Sequence, residues 1–307
     1  MLQAAAEVAG DQHYPLGALY VVATPIGNLA DISFRAVHVL SLVDAIACED
    51  TRHSAPLLRR LGLDKPLIAL HQHNERAASA AVLERLARGE RVACISDAGT
   101  PAISDPGAEL VGAARAAGYR AVPIPGASSV IAALSISGDA AGSDFSFVGF
   151  LPARGKERAS AIERIAAQPA RTVVLEAPHR IDDLADGLAR FMPARTVTVC
   201  RELTKQFEGI ESMAAADFPA WLTADPHRQR GEFVVVLHTI GERSAADAAH
   251  TAVEVHDKTL RPLLAALPLK QAVAIAAELT GVGRNNLYAR ALELKRAEDD
   301  AGDSLPG

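Results

Sequence analysis

Aromatic residues are scarce in this chain. They make up 4% of its 307 residues, which argues against a surface of rings for stacking nucleic-acid bases. An excess of basic charge is also missing, because 37 Asp and Glu outnumber 31 Lys and Arg, giving a net charge of −6. This balance excludes general nucleic-acid binding through charge alone, although it is compatible with a local basic site.

Cysteine is rarer still, and its spacing excludes further classes of protein. The three cysteines are Cys48, Cys94 and Cys200, and none belongs to a CxxC pair. Each lies in or at the end of an apolar, strand-like run, so we predict buried, reduced thiols, no disulfide scaffold and no metal site. The first ten residues lack both a basic n-region and a long apolar core, so we expect a cytoplasmic protein with no membrane partner.

Four common catalytic motifs are missing as well. The chain has no P-loop, no GxGxxG, no HExxH and no GxSxG. The chain therefore lacks the motifs that the usual nucleotide-binding, zinc-dependent and serine-hydrolase mechanisms require. What the chain does have is 49% apolar residues and a length that suits two domains, or one domain with an appendage.

The order of apolar segments predicts an α/β fold. Strand-like and helical patterns alternate from Ala18 to about Gly138, which indicates a mostly parallel sheet covered on both faces. The pattern then changes to that of a second α/β domain with a mixed sheet, followed by a small helical C-terminal tail. The predicted parts are a loose leader at 1–17, two α/β domains at 18–137 and 138–240, a linker at 241–257, a helical tail at 258–297 and a disordered end at 298–307.

The tail carries a weak motif of its own. Ala277, Gly281 and Leu287 stand at the spacing of a helix-turn-helix, and residues 284–286 (Arg-Asn-Asn) would begin its second helix. A plain three-helix cap on the second domain is the alternative, and the helix-turn-helix fold serves protein contacts as well as DNA.

The most informative stretch runs from Ser96 to Gly107, between a predicted strand and a predicted helix. Its sequence is Ser-Asp-Ala-Gly-Thr-Pro-Ala-Ile-Ser-Asp-Pro-Gly. Open α/β sheets bind ligands at such strand ends, where glycine lets the backbone approach and proline fixes the shape of the loop. Asp97 and Asp105 add negative charge, which suits a cationic or ribose-bearing ligand better than a phosphate. A rigid connection with capping residues is the alternative.

Five other polar clusters each follow an apolar strand. They occupy residues 24–28, 49–52, 125–129, 176–180 and 201–205. Any one of them is explained by a turn or a cap. Because strand ends in an α/β sheet converge on one edge, the six clusters together predict a ligand crevice.

Long motifs in fixed order extend these clusters. They are Val22–Ile32, Cys48–Arg52, Ser96–Gly107, Pro123–Ser128, Gly149–Pro152, Glu176–Arg180, Arg201–Lys205 and Gly231–Phe233. On these residues the chain resembles the tetrapyrrole-methylase superfamily of S-adenosylmethionine-dependent methyltransferases. Within it, the chain is similar to the family of ribosomal RNA small subunit methyltransferase I, which methylates a cytidine ribose 2′-oxygen of 16S rRNA. The resemblance spans about Leu19 to Leu237, the helical tail fits it, and the leader lies outside it.

The resemblance implies that S-adenosylmethionine binds in a cleft between the two α/β domains. A sulfonium cation is suited to carbonyls, dipoles and a carboxylate, in agreement with the acidic loop. The residues that the resemblance places at the methyl donor are Pro25, Asp97, Gly99, Thr100, Pro101, Ala127, Ser128, Ala177, Pro178, Gly231, Glu232 and Phe233. The partners that it implies are 16S rRNA, within the assembled or assembling small ribosomal subunit, and a second copy of the chain.

The implied reaction needs the 2′-hydroxyl to lose its proton, and the sequence leaves the proton acceptor open. The catalytic candidates are Glu49, Asp50, Arg52, Glu176 and His179, the arginine acting on the pKa of the hydroxyl or on a phosphate. The candidates for RNA contacts are Arg35, Arg154, Lys156, Arg180, Arg201 and Lys205. A structured substrate read by its shape and its splayed nucleotide suits the acidic chain better than naked RNA.

Two alternatives keep parts of this interpretation. The first is methylation of a tetrapyrrole or another small molecule on the same fold, against which residues 49–52 and 201–205 speak, since they match the RNA-modifying branch. The second is a ligand-sensing DNA-binding regulator that reads DNA through its tail. We do not expect DNA as a partner, because the strand-end clusters would then serve sensing only.

Overall fold

The computed structural model describes residues 1–71, 74–141, 144–240, 257, 259–280, 287–288 and 290–294. The chain divides into two compact units, Met1–Thr239 and Ile240–Gly307. Among the helices described in these ranges, none combines the length and the apolar character needed to cross a bilayer.

The first sheet of the larger unit is entirely parallel. Its strands are β1 (Ala18–Val22), β2 (Ala45–Cys48), β3 (Leu67–Ala69), β4 (Val92–Ile95) and β5 (Arg120–Ile124), in the order β3-β2-β4-β1-β5. Leu19 of the central β1 pairs with Val92 on one side and Ala121 on the other. Every residue of β2 and β4 is buried, as expected for strands covered on both faces. The predicted parallel α/β layer is confirmed.

Helices connect these strands, and several of them begin at side-chain caps. The elements are α2 (Phe34–Leu42), α3 (Thr51–Arg60), α4 (Glu75–Ala87), α5 (Ala108–Ala116) and α6 (Ser129–Ile136), with α1 preceding them at Leu2–Ala9. Ser33 caps α2 by accepting a hydrogen bond from the Ala36 backbone N–H at 3.1 Å. The Glu75 carboxylate accepts from the backbone N–H groups of Gly107 at 2.9 Å and Glu109 at 3.2 Å. Helix α4 thus supplies the cap of α5 and closes the far end of the Ser96–Gly107 loop.

The leader is ordered, contrary to the prediction of a loose segment at 1–17. Helix α1 buries Ala5 and Ala9, and Ala5 joins the apolar cluster that includes residues of α2. The Tyr14 hydroxyl donates to the Ala9 carbonyl at 2.9 Å, which ties the chain after the helix back to it. Both buried positions of this helix are alanines, so the segment lacks the large apolar side chains that usually mark a packed helix in a sequence.

The second sheet lies in the same unit and is mixed, as predicted. Its strands are β6 (Phe145–Phe150), β7 (Arg171–Glu176), β8 (Thr196–Arg201), β9 (Gly209–Ala214) and β10 (Phe233–Leu237), in the order β6-β7-β10-β8-β9. Strands β6 and β7 are parallel, and the other pairs are antiparallel. Strand β10, the last of the five in the sequence, is central. Its Val235 pairs with Val174 and Val199, and all three residues are fully buried.

Helices α7 (Gly155–Ala166), α8 (Ile181–Phe191) and α9 (Phe218–Thr223) pack on one face of this sheet. The sequence predicts no strand or helix for residues 202–231, where strand β9 and helix α9 lie. The predicted burial of Cys48, Cys94 and Cys200 is confirmed. Burial raises the pKa of Cys94 and of Cys200 to about 12, so these thiols stay protonated and unreactive.

The smaller unit is helical in its described residues. Helix α10 spans Leu269–Thr280, and residues 259–266 and 290–294 are also helical. Its apolar cluster brings together Leu260, Val273, Leu287 and Leu294, with Ala277 packed against it. The predicted linker apart from its last residue, the Gly281 turn, residues 284–286 and the end at 298–307 all lie outside the described residues.

Candidate functional site

The Ser96–Gly107 loop is joined to the end of β1. Thr24 and Gly99 exchange two backbone hydrogen bonds, at 2.9 and 3.1 Å, and the buried Thr24 hydroxyl donates to the Ser96 carbonyl at 3.1 Å. Gly99 has φ +83°, and a Cβ there would lie 3.2 Å from Cγ2 of Ile26. Only glycine fits this conformation and this close approach, so the loop has one rigid path over the end of the sheet.

A cavity of about 470 Å³ lies between this loop and the second sheet, and we call it the first cavity. Its volume is in the range of small-molecule sites. Seven of the predicted donor-binding residues line it: Gly99, Thr100, Ser128, Ala177, Pro178, Glu232 and Phe233. The catalytic candidates Glu176 and His179 line it as well. The two sheets therefore meet at the crevice that the polar clusters predict.

The other predicted donor residues lie elsewhere. Pro25 and Asp97 line a neighbouring cavity, while Pro101, Ala127 and Gly231 line neither of the two. Ala127 supports the first cavity from behind, since its carbonyl accepts from the Thr100 hydroxyl at 3.2 Å. Gly231 allows a backbone conformation that other residues rarely adopt. It has φ +91°, and a Cβ there would collide with the Glu202 side chain.

Most of the lining that sequence reasoning missed is apolar. Phe147, Leu175 and Val234 come from three adjacent strands and line the first cavity with Ile26 and Leu203. A search for polar clusters at strand ends passes over such residues, because their alternation looks like ordinary core. Further lining residues that were not predicted individually are Ala98, Ile103, Ser104, Ser129, Val130 and Phe150. Asp105, whose negative charge the sequence analysis assigns to the ligand loop, lines the cavity as well.

The acidic side chains of the first cavity differ in their partners. Glu176 is paired with arginines, and the Glu232 carboxylate lies 3.0 Å from Nζ of Lys205. Asp105 makes no ion pair with any residue in the described ranges. Burial is the main cause of a raised pKa at Asp105; a hydrogen bond from Ser96 opposes it and the nearby Asp97 adds to it. The cavity thus keeps one half-buried carboxylate without a cation.

Glu176 is a structural ion pair in this arrangement, not an available base. Its side chain is fully buried, with Nη2 of Arg158 at 2.7 Å, Nε of Arg180 at 3.1 Å and the Ala177 backbone N–H at 3.0 Å. The Arg180 guanidinium also donates to the carbonyls of Leu151 and Pro152. With its hydrogen-bonding positions occupied, the carboxylate joins the end of β7 to the chain between β6 and α7.

The neighbouring cavity, the second cavity, has a volume of about 450 Å³ and shares Ile26, Ala98 and Glu232 with the first. It lies against helix α3 and the chain after β1. Its charged and titratable lining is Arg52, His53, Arg60, Asp97, Lys205 and Glu232. Two of the candidates from the sequence, Arg52 and Lys205, are therefore brought together here.

Asp97 connects the loop after β4 to helix α3. Its Oδ2 lies 2.9 Å from Nδ1 of His53, and its Oδ1 accepts from the Asp50 backbone N–H at 3.3 Å. The Asp97 carboxylate raises the pKa of His53 above its ordinary value, through its hydrogen bond first and its charge second. His53 was not among the predicted site residues, because a single histidine on a polar helix gives no motif signal.

The remaining catalytic candidates have structural partners or lie apart. Asp50 caps α3 and binds the Arg52 guanidinium at 2.6 Å, and hydrogen bonds from Arg52 lower the pKa of Asp50 to about 2. Glu49 lines neither cavity. Burial raises its pKa, with smaller contributions from Asp105 and Asp97.

The remaining basic candidates do not form one surface with the cavities. Arg154 and Lys156 are exposed around the start of α7. Arg35 is half-buried on α2, 3.4 Å from the Pro123 carbonyl, and Arg201 donates to the Phe207 carbonyl at 2.7 Å. Neither cavity includes any of these four residues in its lining.

Comparison with known proteins decides the family. A family model described as Tetrapyrrole (Corrin/Porphyrin) Methylases matches residues 18–219. The chain is 46% identical over 282 residues to Ribosomal RNA small subunit methyltransferase I of Pseudomonas aeruginosa, covering 90% of this chain and 97% of that protein. The protein of the same name from Escherichia coli O157:H7 is 45% identical, at 90% and 95% coverage. The chain belongs to this family of methyltransferases. The resemblance read from the strand-end motifs is confirmed.

The family assignment also extends to the tail and to the fold. A second family model, the RsmI C-terminal HTH domain, matches residues 246–295. The solved structure of the methyltransferase CobJ aligns with a TM-score of 0.55 at 19% identity, over 73% of this chain and 94% of that one. Uroporphyrin-III C-methyltransferase of Thermus thermophilus, complexed with S-adenosylhomocysteine, aligns with a TM-score of 0.51 at 16% identity, over 72% and 97%. At such identities, the likeness establishes the fold alone.

Proposed function

We propose that this protein transfers the methyl group of S-adenosylmethionine to a cytidine ribose 2′-oxygen of 16S rRNA, within the assembled or assembling small ribosomal subunit. The observation that carries the proposal is the first cavity, of small-molecule size and with the unpaired Asp105 carboxylate in its lining. The names of the two relatives support the rRNA substrate, and the ligand of the Thermus thermophilus structure supports the donor.

The residues of the first cavity fit this donor. Gly99 and Thr100 offer close backbone approach on one side, and Ser128 lies at the start of α6 on the other. The sulfonium cation favours a carboxylate that has no other cation, which is the situation of Asp105. Phe147 and Leu175 add apolar surface that excludes water from the donor.

S-adenosylmethionine supplies an electrophilic methyl group when bound. The protein accelerates the reaction by holding the ribose oxygen in line with the methyl group. It also has to accept the hydroxyl proton, because a 2′-hydroxyl is a poor nucleophile. The first and second cavities share Ile26, Ala98 and Glu232 in their linings. A donor in the first and an acceptor in the second would therefore be neighbours. The predicted cytoplasmic location and homodimer accompany this proposal, and light scattering measures the oligomeric state.

The test is transfer of tritium from labelled S-adenosylmethionine to 30S subunits from a strain that lacks this activity, followed by nuclease mapping. We expect label on one cytidine ribose of 16S rRNA. Matched 30S subunits from the parent strain should take up no label, because their site is already methylated. Measurable donor binding without label on the rRNA would refute the substrate, and labelling of a tetrapyrrole instead would favour the small-molecule alternative.

A further inference from the structure

We propose that the second cavity receives the acceptor ribonucleotide, with His53 accepting the proton of the 2′-hydroxyl and Arg60 binding a phosphate of the RNA. This inference rests on the proposed function, since it names where the substrate of that reaction binds. It adds a residue, His53, to a set of catalytic candidates in which Glu176 is held by arginines and Asp50 by Arg52.

The position of the second cavity suits an acceptor. It shares Ile26, Ala98 and Glu232 with the first cavity, so the two cavities adjoin at these residues. Its volume of about 450 Å³ admits a nucleotide-sized group. In-line transfer needs donor and acceptor to meet at one point, and the residues that the cavities share mark where a ligand in one comes near a ligand in the other.

The two cavities differ in charge in the way that a cationic donor and an anionic acceptor require. The charged lining of the first is acidic, whereas the second has three basic side chains, Arg52, Arg60 and Lys205, beside the carboxylates of Asp97 and Glu232. Arg52 is paired with Asp50, and Lys205 with Glu202 and Glu232. Arg60 is exposed and makes no ion pair with any residue that the structure describes, so its guanidinium is available to a phosphate.

The contact between His53 and Asp97 determines which nitrogen can accept a proton. An ionised carboxylate only accepts hydrogen bonds, so the Nδ1 atom of His53, at 2.9 Å from Oδ2 of Asp97, carries the hydrogen. Neutral His53 then has its lone pair on Nε2. The carboxylate orients the ring and stabilises the imidazolium that forms when Nε2 takes up a proton.

The charges around His53 set the direction of its titration. Asp97 raises its pKa, Asp50 adds to the rise, and Arg52 opposes it. Glu49 lies near enough for the charge of His53 to act on its own pKa. The net effect is a pKa above the ordinary histidine value, so the neutral form that accepts a proton grows as the pH rises.

The reaction step balances with His53 as the acceptor. The 2′-oxygen forms a bond to the methyl carbon, and the carbon–sulfur bond breaks with its electron pair on sulfur. The hydroxyl proton passes to Nε2 of His53, and the imidazolium later loses it to water. No oxidant, reductant or metal enters this step.

The catalytic part is tested with His53→Gln and Asp97→Asn in single-turnover methyl transfer to 30S subunits across pH 5.5 to 9. We expect His53→Gln to lower the rate by about 10²- to 10⁴-fold and to remove the rise of rate with pH. Asp97→Asn should shift that rise to lower pH, and the His53 pKa read from NMR of the free protein should fall with it. The donor Kd of His53→Gln should stay within twofold of wild type.

The phosphate contact has a matched control on the same helix. Arg59 neighbours Arg60 and is equally exposed, but it does not line the second cavity. With S-adenosylhomocysteine bound, Arg60→Ala should raise the Kd for 30S subunits about tenfold and lower the slope of log Kd against log salt by about one. Arg59→Ala should change neither quantity.

The outcomes separate this inference from the proposed function. If the wild-type protein labels no rRNA, the proposed function fails and the inference fails with it. If the wild type labels 16S rRNA while His53→Gln keeps its rate and pH profile, the second cavity is not where the proton is accepted. Equal effects of Arg59→Ala and Arg60→Ala would likewise overturn the phosphate assignment.

Discussion

Asp105 is the residue whose surroundings select a ligand by charge. Glu176 and Glu232 also line the first cavity, but each already has a basic partner. Asp105 has no basic partner among the described residues, so its carboxylate is open to a cationic ligand. A positive group is favoured there, whereas a neutral ligand of the same shape gains nothing from the carboxylate.

Asp105→Asn should therefore discriminate between two ligands that differ by one methyl group. We expect the Kd for S-adenosylmethionine, a sulfonium cation, to rise about tenfold, which corresponds to about 1.4 kcal/mol. The Kd for S-adenosylhomocysteine, a neutral thioether, should stay within twofold. Isothermal titration calorimetry measures both.

The control for this substitution is Asp186→Asn. Asp186 is exposed on α8 and lines neither cavity, so both Kd values should equal those of the wild type. If Asp105→Asn weakens the two ligands equally, Asp105 shapes the cavity without acting as a counter-charge.

The sequence predicted the site best where polar residues follow strands. Gly99, Thr100 and Ser128 lie in clusters that this rule identifies, the resemblance places them at the donor, and all three line the first cavity. Asp97 follows the same rule yet lines the second cavity, where it binds His53. Nothing along the chain distinguishes the two cases, because the direction of a loop side chain depends on contacts with distant elements. Donor contacts for these residues remain predictions.

At the scale of elements, the bridge between the end of β1 and the Ser96–Gly107 loop holds the site together. Thr24 contributes its hydroxyl as well as its backbone to this bridge, although it is almost completely buried. Valine has nearly the same shape but no hydroxyl. Its presence would leave the Ser96 carbonyl without this donor inside the protein.

Thr24→Val should lower the free energy of unfolding by about 1–2 kcal/mol, because a buried acceptor loses its donor. Donor affinity should fall too, since the loop carries Gly99 and Thr100. Urea denaturation and calorimetry measure the two effects.

Thr223→Val provides the comparison for Thr24→Val. Thr223 is exposed at the end of α9, and its hydroxyl donates only to helix carbonyls of its own turn. Its free energy of unfolding should stay within about 0.5 kcal/mol of the wild type. A Thr24→Val protein as stable as this control would show that the backbone bridge alone holds the loop.

The elements that sequence reasoning missed are exposed, short or rich in alanine. Strand β9 is an edge strand with mostly exposed side chains, and α9 has six residues with proline at its second position. Helix α1 packs through alanines. The apolar runs predict strands at Asp44–Cys48 and Arg91–Ile95, and β2 and β4 differ from these bounds by one residue, because full burial demands an uninterrupted apolar run.

At the scale of the whole molecule, both sheets belong to one compact unit that ends at Thr239. All strands that line the first cavity lie before this point. The predicted border at 137/138 separates the two sheets along the chain, whereas their common packing is a tertiary property that the pattern of elements does not reveal.

A chain ending at residue 240 should therefore fold and keep the donor site. We expect cooperative unfolding and a Kd for S-adenosylmethionine within twofold of the full-length value, because no described lining residue is removed. Calorimetry and circular dichroism check both points. Loss of donor binding in a folded truncated protein would contradict this independence and assign the helical tail a part in the site.

The order of strands in the second sheet has a consequence for synthesis of the chain. β10 is made last yet pairs with both β7 and β8 at the centre. Until Leu237 has left the ribosome, those two strands present unpaired edges, which are open to wrong partners. The first sheet is finished by Ile124 and can fold earlier. The second sheet of each nascent chain therefore stays incomplete until β10 is synthesised. The rate of translation over residues 202–237 determines how long the edges of β7 and β8 remain exposed.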